Sequence, residues 1–199
     1  MNVDDEFATI DAILASEAET RGVDAFALAL LKAERQMRKL FTYLVFQSDA
    51  FSSRDVRALR NALSDRRLYF RDFVLAWEKL YARPLKEIVG SDHERLYAIL
   101  NNAIDFRNKI FHGQLTARYL SRKDLITLVA QIRCWCRALA AGSQSEIGYD
   151  GFGRNSFHKS ASPLTDRLVT KMNDVQEYVD LLVRMEERRR KAAQSTPGS

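Results

Sequence analysis

Apolar side chains recur three and four residues apart along almost the whole chain, and no stretch alternates apolar with polar residues as a half-buried strand would. Phe7, Ile10, Ile13 and Leu14 set the pattern, and Leu30, Met37, Phe41 and Leu44 repeat it. Because an α-helix turns by about 100° per residue, this spacing gathers apolar groups on one helix face, which must then be buried against another. Only eight glycines and three prolines interrupt 199 residues. The expectation is an all-α bundle of about five to six helices forming one domain over residues 1–192, with a frayed tail at 193–199.

Local punctuation predicts where the helices start and stop. The first runs from Val3 to about Arg21 and stops at Gly22; the second starts with Asp24 as its cap and continues to about Gln47. Ser52 opens a third, in which Val56, Leu59, Leu63, Phe70, Phe73, Trp77 and Leu80 keep helical spacing until Pro84. Ser91 and Glu94 have the spacing of a capping box, which predicts a helix from about Asp92 to His112 with Gly113 as its terminating glycine. Ser121 caps the next, striped by Leu125, Leu128, Val129, Ile132, Trp135 and Leu139 and closed by Gly142. Ser162 and Pro163 begin the last, with Leu164, Leu168, Met172, Val175, Val179 and Leu182 on one side.

The helix that ends at His112 carries the densest chemistry, in the octapeptide F-R-N-K-I-F-H-G from Phe106 to Gly113. Its apolar stripe is Leu96, Ile99, Leu100, Ala103, Phe106 and Ile110. With Leu96 at zero, Arg107 falls at roughly 20°, inside the stripe, while Asn108 and His112 fall outside it at about 120° and 160°. A guanidinium on an apolar face needs a partner. That partner is either a carboxylate of another helix, such as Asp55 or Asp72, or a phosphate of a substrate. Histidine moves protons near neutral pH, and arginine offers a planar fork to phosphate oxygens.

The pattern R-N-x3-H in an all-helical chain resembles the HEPN superfamily, whose signature is an arginine, a polar residue after it, and a histidine four to six positions from the arginine. The resemblance extends over the helices from about Asp24 to Gly142, although only the motif is specific. It implies a metal-independent endoribonuclease with Arg107, Asn108 and His112 as catalytic residues, no cofactor and no bound metal. It also implies a homodimer, since HEPN ribonucleases build a composite site between two domains and this chain has one motif. The settings it implies are a toxin or an anti-phage defence component, with an antitoxin or other regulatory protein as a further partner. The alternative is a catalytically silent HEPN module that binds a nucleotide, RNA or a partner protein. Some members place a tyrosine two residues beyond the histidine; here that position is Gln114, so no role for that tyrosine carries over.

The formal charge of +5 and a pI near 9.3 favour a polyanionic partner without requiring one. Part of the excess lies in Arg188, Arg189, Arg190 and Lys191, which a helix C-terminus accommodates by its dipole. Cys134 and Cys136, two apart on a helix, point away from each other and form no ordinary disulfide; as mostly buried, reduced thiols they fit a cytoplasmic protein. No CxxC and only three histidines leave no metal-ligand set, and neither a signal core nor a long apolar run predicts a membrane partner. His93, in a first helical turn, reads as a surface residue.

One long irregular loop is expected, from Ser143 to Ala161. Tyr149, Phe152 and Phe157 suit stacking on RNA bases, with Arg154, His158 and Lys159 meeting phosphates. The same aromatics equally suit a loop pinned to the bundle by its own side chains.

Overall fold

The computed structural model describes residues 3–111, 120–153 and 155–194. Among these the chain is all-α, with helices α1 (Val3–Ala15), α2 (Arg21–Phe46), α3 (Val56–Ser64), α4 (Phe70–Leu80), α5 (Leu85–Val89), α6 (His93–Phe111), α7 (Arg122–Ile147) and α8 (Val175–Gln194). A 3-10 turn at Thr165–Arg167 and one antiparallel bridge between Tyr81 and Leu168 are the remaining regular features described.

The two 26-residue helices α2 and α7 form the central pair. Against them pack α1 and α4 on α2, and α5 and α6 on α7, while α8 closes over α3 and α4. Phe26, Met37 and Phe41 of α2 share one core with Phe73 and Trp77 of α4, Trp135 and Leu139 of α7, and Leu182 of α8. Helix α7 is also long and apolar enough to cross a membrane; its apolar face is used here against α2 and its neighbours. Its start follows the sequence: Ser121 accepts from Asp124 N and Asp124 accepts from Ser121 N, two orphan donors satisfied reciprocally.

Several boundaries differ from those expected. The first helix ends at Ala15, and α2 begins at Arg21, with Gly22 inside it and the Thr20 hydroxyl donating to Asp24 at 2.7 Å. The segment from Ser52 to Pro84 is two helices, because residues 65–69 turn and α4 restarts where the Asp72 carboxylate accepts from Tyr69 N at 2.9 Å. No glycine or proline marks that break. Helix α6 starts at His93, with Leu96 N donating to Asp92 O.

Gly142 does not close α7. It sits within the helix where a Cβ would lie 1.9 Å from Ile88 O, so glycine here permits α5 to cross against α7. The last helix begins at Val175 rather than at Ser162, capped by Asp174, whose carboxylate accepts from Glu177 N at 2.8 Å. Leu164, Leu168 and Met172 are nonetheless buried, anchoring an irregular segment instead of a helical turn.

Candidate active site

Helix α6 is deep at its start and opens toward its end. Leu96, Leu100 and Ala103 are buried against the bundle, whereas Phe106, Ile110 and Arg107 are half-buried and Asn108 is exposed. His112 is the residue after the helix and lies outside the described residues, together with Gly113 and Gln114. Arg107, expected inside the apolar stripe, is half-buried where α6 opens.

A cleft of about 390 Å³ opens beside it, bounded by α2, the N-terminus of α4, α6 and α8. Leu30, Ala33, Phe70, Leu100 and Ile104 make an apolar floor. Arg107, Asn108, Arg71 and Arg189 bring polar groups to it, as do the carboxyls of Glu34 and Asp72.

Of the two partners considered for Arg107, a carboxylate or a substrate phosphate, neither Asp55 nor Asp72 forms the ion pair. Asp55 accepts from the backbone and hydroxyl of Ser52, and Asp72, which lines the same cleft, is engaged by Tyr69 N. Among the described residues no carboxylate stands within ion-pair distance of Arg107, and its buried Nε has no hydrogen-bond partner. Glu34 of α2 lies close enough to feel the charge of Arg107, and it pairs with Arg38 at 3.4 Å. Burial pushes the Glu34 carboxyl above its ordinary range, and the positive charges of Arg38 and then Arg107 only partly offset this. Burial likewise raises the Asp72 carboxyl, against the hydrogen bond from Tyr69 N and the charge of Arg189.

Arg189 reaches the cleft from α8. Its guanidinium lies 4.9 Å from the ring centroid of Tyr69, its Nη2 is 3.8 Å from Glu186, and its Nε is buried without a partner. Arg71 is committed to the rim, donating to Asn101 at 2.8 Å and to Asp105 at 3.0 Å, and so joins the start of α4 to α6.

The loop residues lie elsewhere. Helix α7 continues to Ile147, and beyond Gly148 the chain is laid along the C-terminal half of α2, where Leu40 to Phe46 are buried on every side. Phe152 is 1% exposed and Tyr149 is 5% exposed, so neither presents a free face for a base. Phe157 is half-buried, edge-on to Phe46, with Arg60 over its own ring. Lys159 donates to Phe46 O and Ser48 O at 2.6 and 2.7 Å, a cation at the negative end of α2. His158 is exposed, its ring 5.0 Å from that of Tyr43. Arg154 lies outside the described residues.

Positive φ and close approach meet at Gly151, where a Cβ would stand 2.7 Å from Gln36 Cγ. The loop thus follows α2 too closely for any larger residue. Of the two thiols, Cys136 is buried and Cys134 is exposed, which corrects the expectation that both are mostly buried. His93 is half-buried, with its ring stacked on Tyr97 at 5.5 Å, rather than a surface residue. No group of three metal-ligating side chains meets among the described residues.

Sequence reasoning singled out Arg107 and Asn108 but passed over Glu34, Tyr69, Arg71 and Arg189, which the fold brings to the same cleft. Arg189 belongs to a cationic run whose macrodipole role hid it. Tyr69 falls where helical spacing predicts no break.

Comparison of the chain with models of known families, with curated proteins and with solved structures gives no match in any of the three.

Proposed function

We propose that the chain is a metal-independent endoribonuclease of the HEPN kind, with Arg107, Asn108 and His112 as its catalytic residues. The observation that carries this reading is Arg107: a half-buried guanidinium with an unpartnered Nε, beside Asn108 in an open cleft, at the helix end that leads into His112. A buried arginine held for stability alone is expected to be paired, because the desolvation of its charge must be offset.

In the reaction, the 2′-hydroxyl of the substrate loses its proton to a base and its oxygen forms a bond to phosphorus. The P–O5′ bond breaks, and an acid returns a proton to O5′, leaving a 2′,3′-cyclic phosphate and a 5′-hydroxyl. Arg107 meets the phosphate oxygens through its fork as negative charge builds on them. His112 transfers a proton, and Asn108, four residues earlier in the sequence, orients the imidazole or holds a phosphate oxygen.

One imidazole does not serve as base and acid in the same step, so the site is completed by a second copy of the chain. The half-buried Phe106 and Ile110 give α6 an apolar edge suited to that contact. The setting proposed is a cytoplasmic toxin or anti-phage defence component, restrained by an antitoxin or other regulatory protein.

The test is incubation of purified protein with labelled RNA in EDTA, with analysis of the product ends. Cleavage leaving cyclic phosphates, lost in His112→Ala and accompanied by dimeric sedimentation, is the expected result. Full activity in His112→Ala, from a preparation free of other nucleases, would overturn the assignment. Binding without cleavage by the parent protein would identify a silent module instead.

A further inference from the structure

The proposed chemistry engages a single phosphate and leaves much of the cleft unexplained. Its volume of about 390 Å³ lies within the range of sites that hold a small molecule, roughly 300–1,000 Å³. Its floor is apolar, and its walls carry three arginines, Arg71, Arg107 and Arg189, against two carboxyls, Glu34 and Asp72. Tyr69 lines it and is 44% exposed, the one exposed Phe, Tyr or Trp ring among the described residues.

Tyr69 is held in place from two directions. Its backbone is fixed in an extended conformation (φ −121°, ψ 177°) by donation to Asp72, and the guanidinium of Arg189 lies against its ring. No other aromatic ring meets it among the described residues. An exposed ring with a fixed backbone and a cation on one side offers a stacking surface at little conformational cost.

Arg189 and Arg107 share a further property. Each has a buried Nε without a hydrogen-bond partner, and both line the same cleft. An unsatisfied buried donor on a charged group is costly, and two guanidinium groups in one cleft repel each other. An anion with several oxygens satisfies both conditions at once, and the Nε and Nη groups of arginine match two phosphate oxygens side by side. The opposing carboxyls weaken this attraction only in part. Asp72 is turned to Tyr69 N, and Glu34 pairs with Arg38.

A flat apolar ligand face joined to a multiply charged anionic group describes a nucleotide. We propose that this cleft is a single-nucleotide subsite for single-stranded RNA, in which Tyr69 stacks on an unpaired base and Arg189 holds the phosphate next to the one engaged by Arg107. The identity of the polymer rests on the ribonuclease reading; the ring, the cations and the cleft do not. An A-form duplex keeps its bases stacked inside and offers no face to Tyr69, so the subsite selects unpaired segments.

The test uses a fluorescent single-stranded RNA carrying 2′-O-methyl groups, which the proposed reaction cannot cut, and measures binding to the full chain by anisotropy at several salt concentrations. Tyr69→Ala is expected to weaken binding about 5- to 150-fold, the range for loss of one base–aromatic stack, and Tyr69→Phe, which keeps the ring, restores it. Arg189→Gln is expected to lower the slope of log K against log salt by about 0.7, one phosphate contact on a single strand. A matched duplex should bind more weakly than the single strand. Thermal melting of each variant verifies folding, and should Tyr69→Ala unfold, Tyr69→Leu supplies the ring-free comparison.

If the variants bind the single strand as the parent does, or if the parent does not bind it, the subsite is overturned. If the parent binds through Tyr69 and Arg189 but leaves natural RNA uncut, the subsite stands and the ribonuclease reading falls. If it cuts RNA while both variants bind and cut like the parent, the reverse holds.

Discussion

The rings of Tyr43 and Tyr149 stack with centroids 4.7 Å apart, and that contact joins the segment after α7 to the middle of the bundle. Around it, Gln36 donates to Asp150 O, Lys39 donates to Gly153 O, and the Tyr43 hydroxyl donates to Ile147 O. Phe152 enters the core within this lattice of bonds. Its replacement by alanine is expected to cost about 3 to 5 kcal/mol, as for other buried aromatics, and to lower the melting temperature by roughly 6–20 °C in a chain of this size. RNA affinity per folded molecule should not change. Calorimetry beside a binding titration checks both, and a loss of affinity with unchanged melting would return the loop to the substrate.

Periodicity made the helical class legible and left some joints hidden. The apolar positions from Val56 to Leu80 keep their spacing across residues 65–69, so a helix that stops and resumes in phase looks like one helix. The clue was Asp72, three residues after Tyr69 and able to accept from its N–H. Gly142 misled in the opposite sense, since a glycine demanded by the passage of Ile88 resembles one that ends a helix. At the cleft, Arg107 was legible because it belongs both to the sequence motif and to the apolar stripe of α6. Glu34 and Arg189 come from two other helices and Tyr69 from the turn before α4, and no local spacing records that they meet.

The two thiols should separate cleanly in reactivity. Cys136 is fully buried and burial pushes its thiol far above the ordinary range, while Cys134, two residues away on the same helix, is exposed. Native protein treated with iodoacetamide should therefore take up one equivalent, located at Cys134 by peptide mass mapping, and two after denaturation. Labelling of Cys136 at a comparable rate would mean that α7 opens readily where it packs against α2.

Glu34 predicts a specific pH dependence of stability. Burial raises its carboxyl above the ordinary 4.5, so the folded state holds the proton more tightly than the unfolded state does. The destabilising contribution is absent below the ordinary value, grows as pH rises from about 4.5, and is complete above the folded-state value. Glu34→Gln removes it. The variant should match the parent near pH 4 and exceed it in melting temperature at neutral pH, with the gap widening between those limits. A gap that instead widens as pH falls would mean that Arg38 and Arg107 outweigh burial at this carboxyl.

Arg107 offers the sharpest separation of function from stability. Were it the buried partner of a carboxylate, Arg107→Met would strand the opposite charge and cost about 3–5 kcal/mol. With no such partner within ion-pair distance among the described residues and its Nε unsatisfied, methionine of similar length removes a desolvated charge while keeping contact with the apolar stripe. The melting temperature should then stay level or rise. RNA cleavage should fall by about 10²- to 10³-fold, the usual effect of losing one donor to charge that develops in a transition state. Arg107→Lys should not restore it, because the ammonium keeps the charge but not the planar fork. The two readouts respond to different roles: unchanged cleavage alongside a large loss of stability would make Arg107 a packing residue, and the motif would lose its anchor.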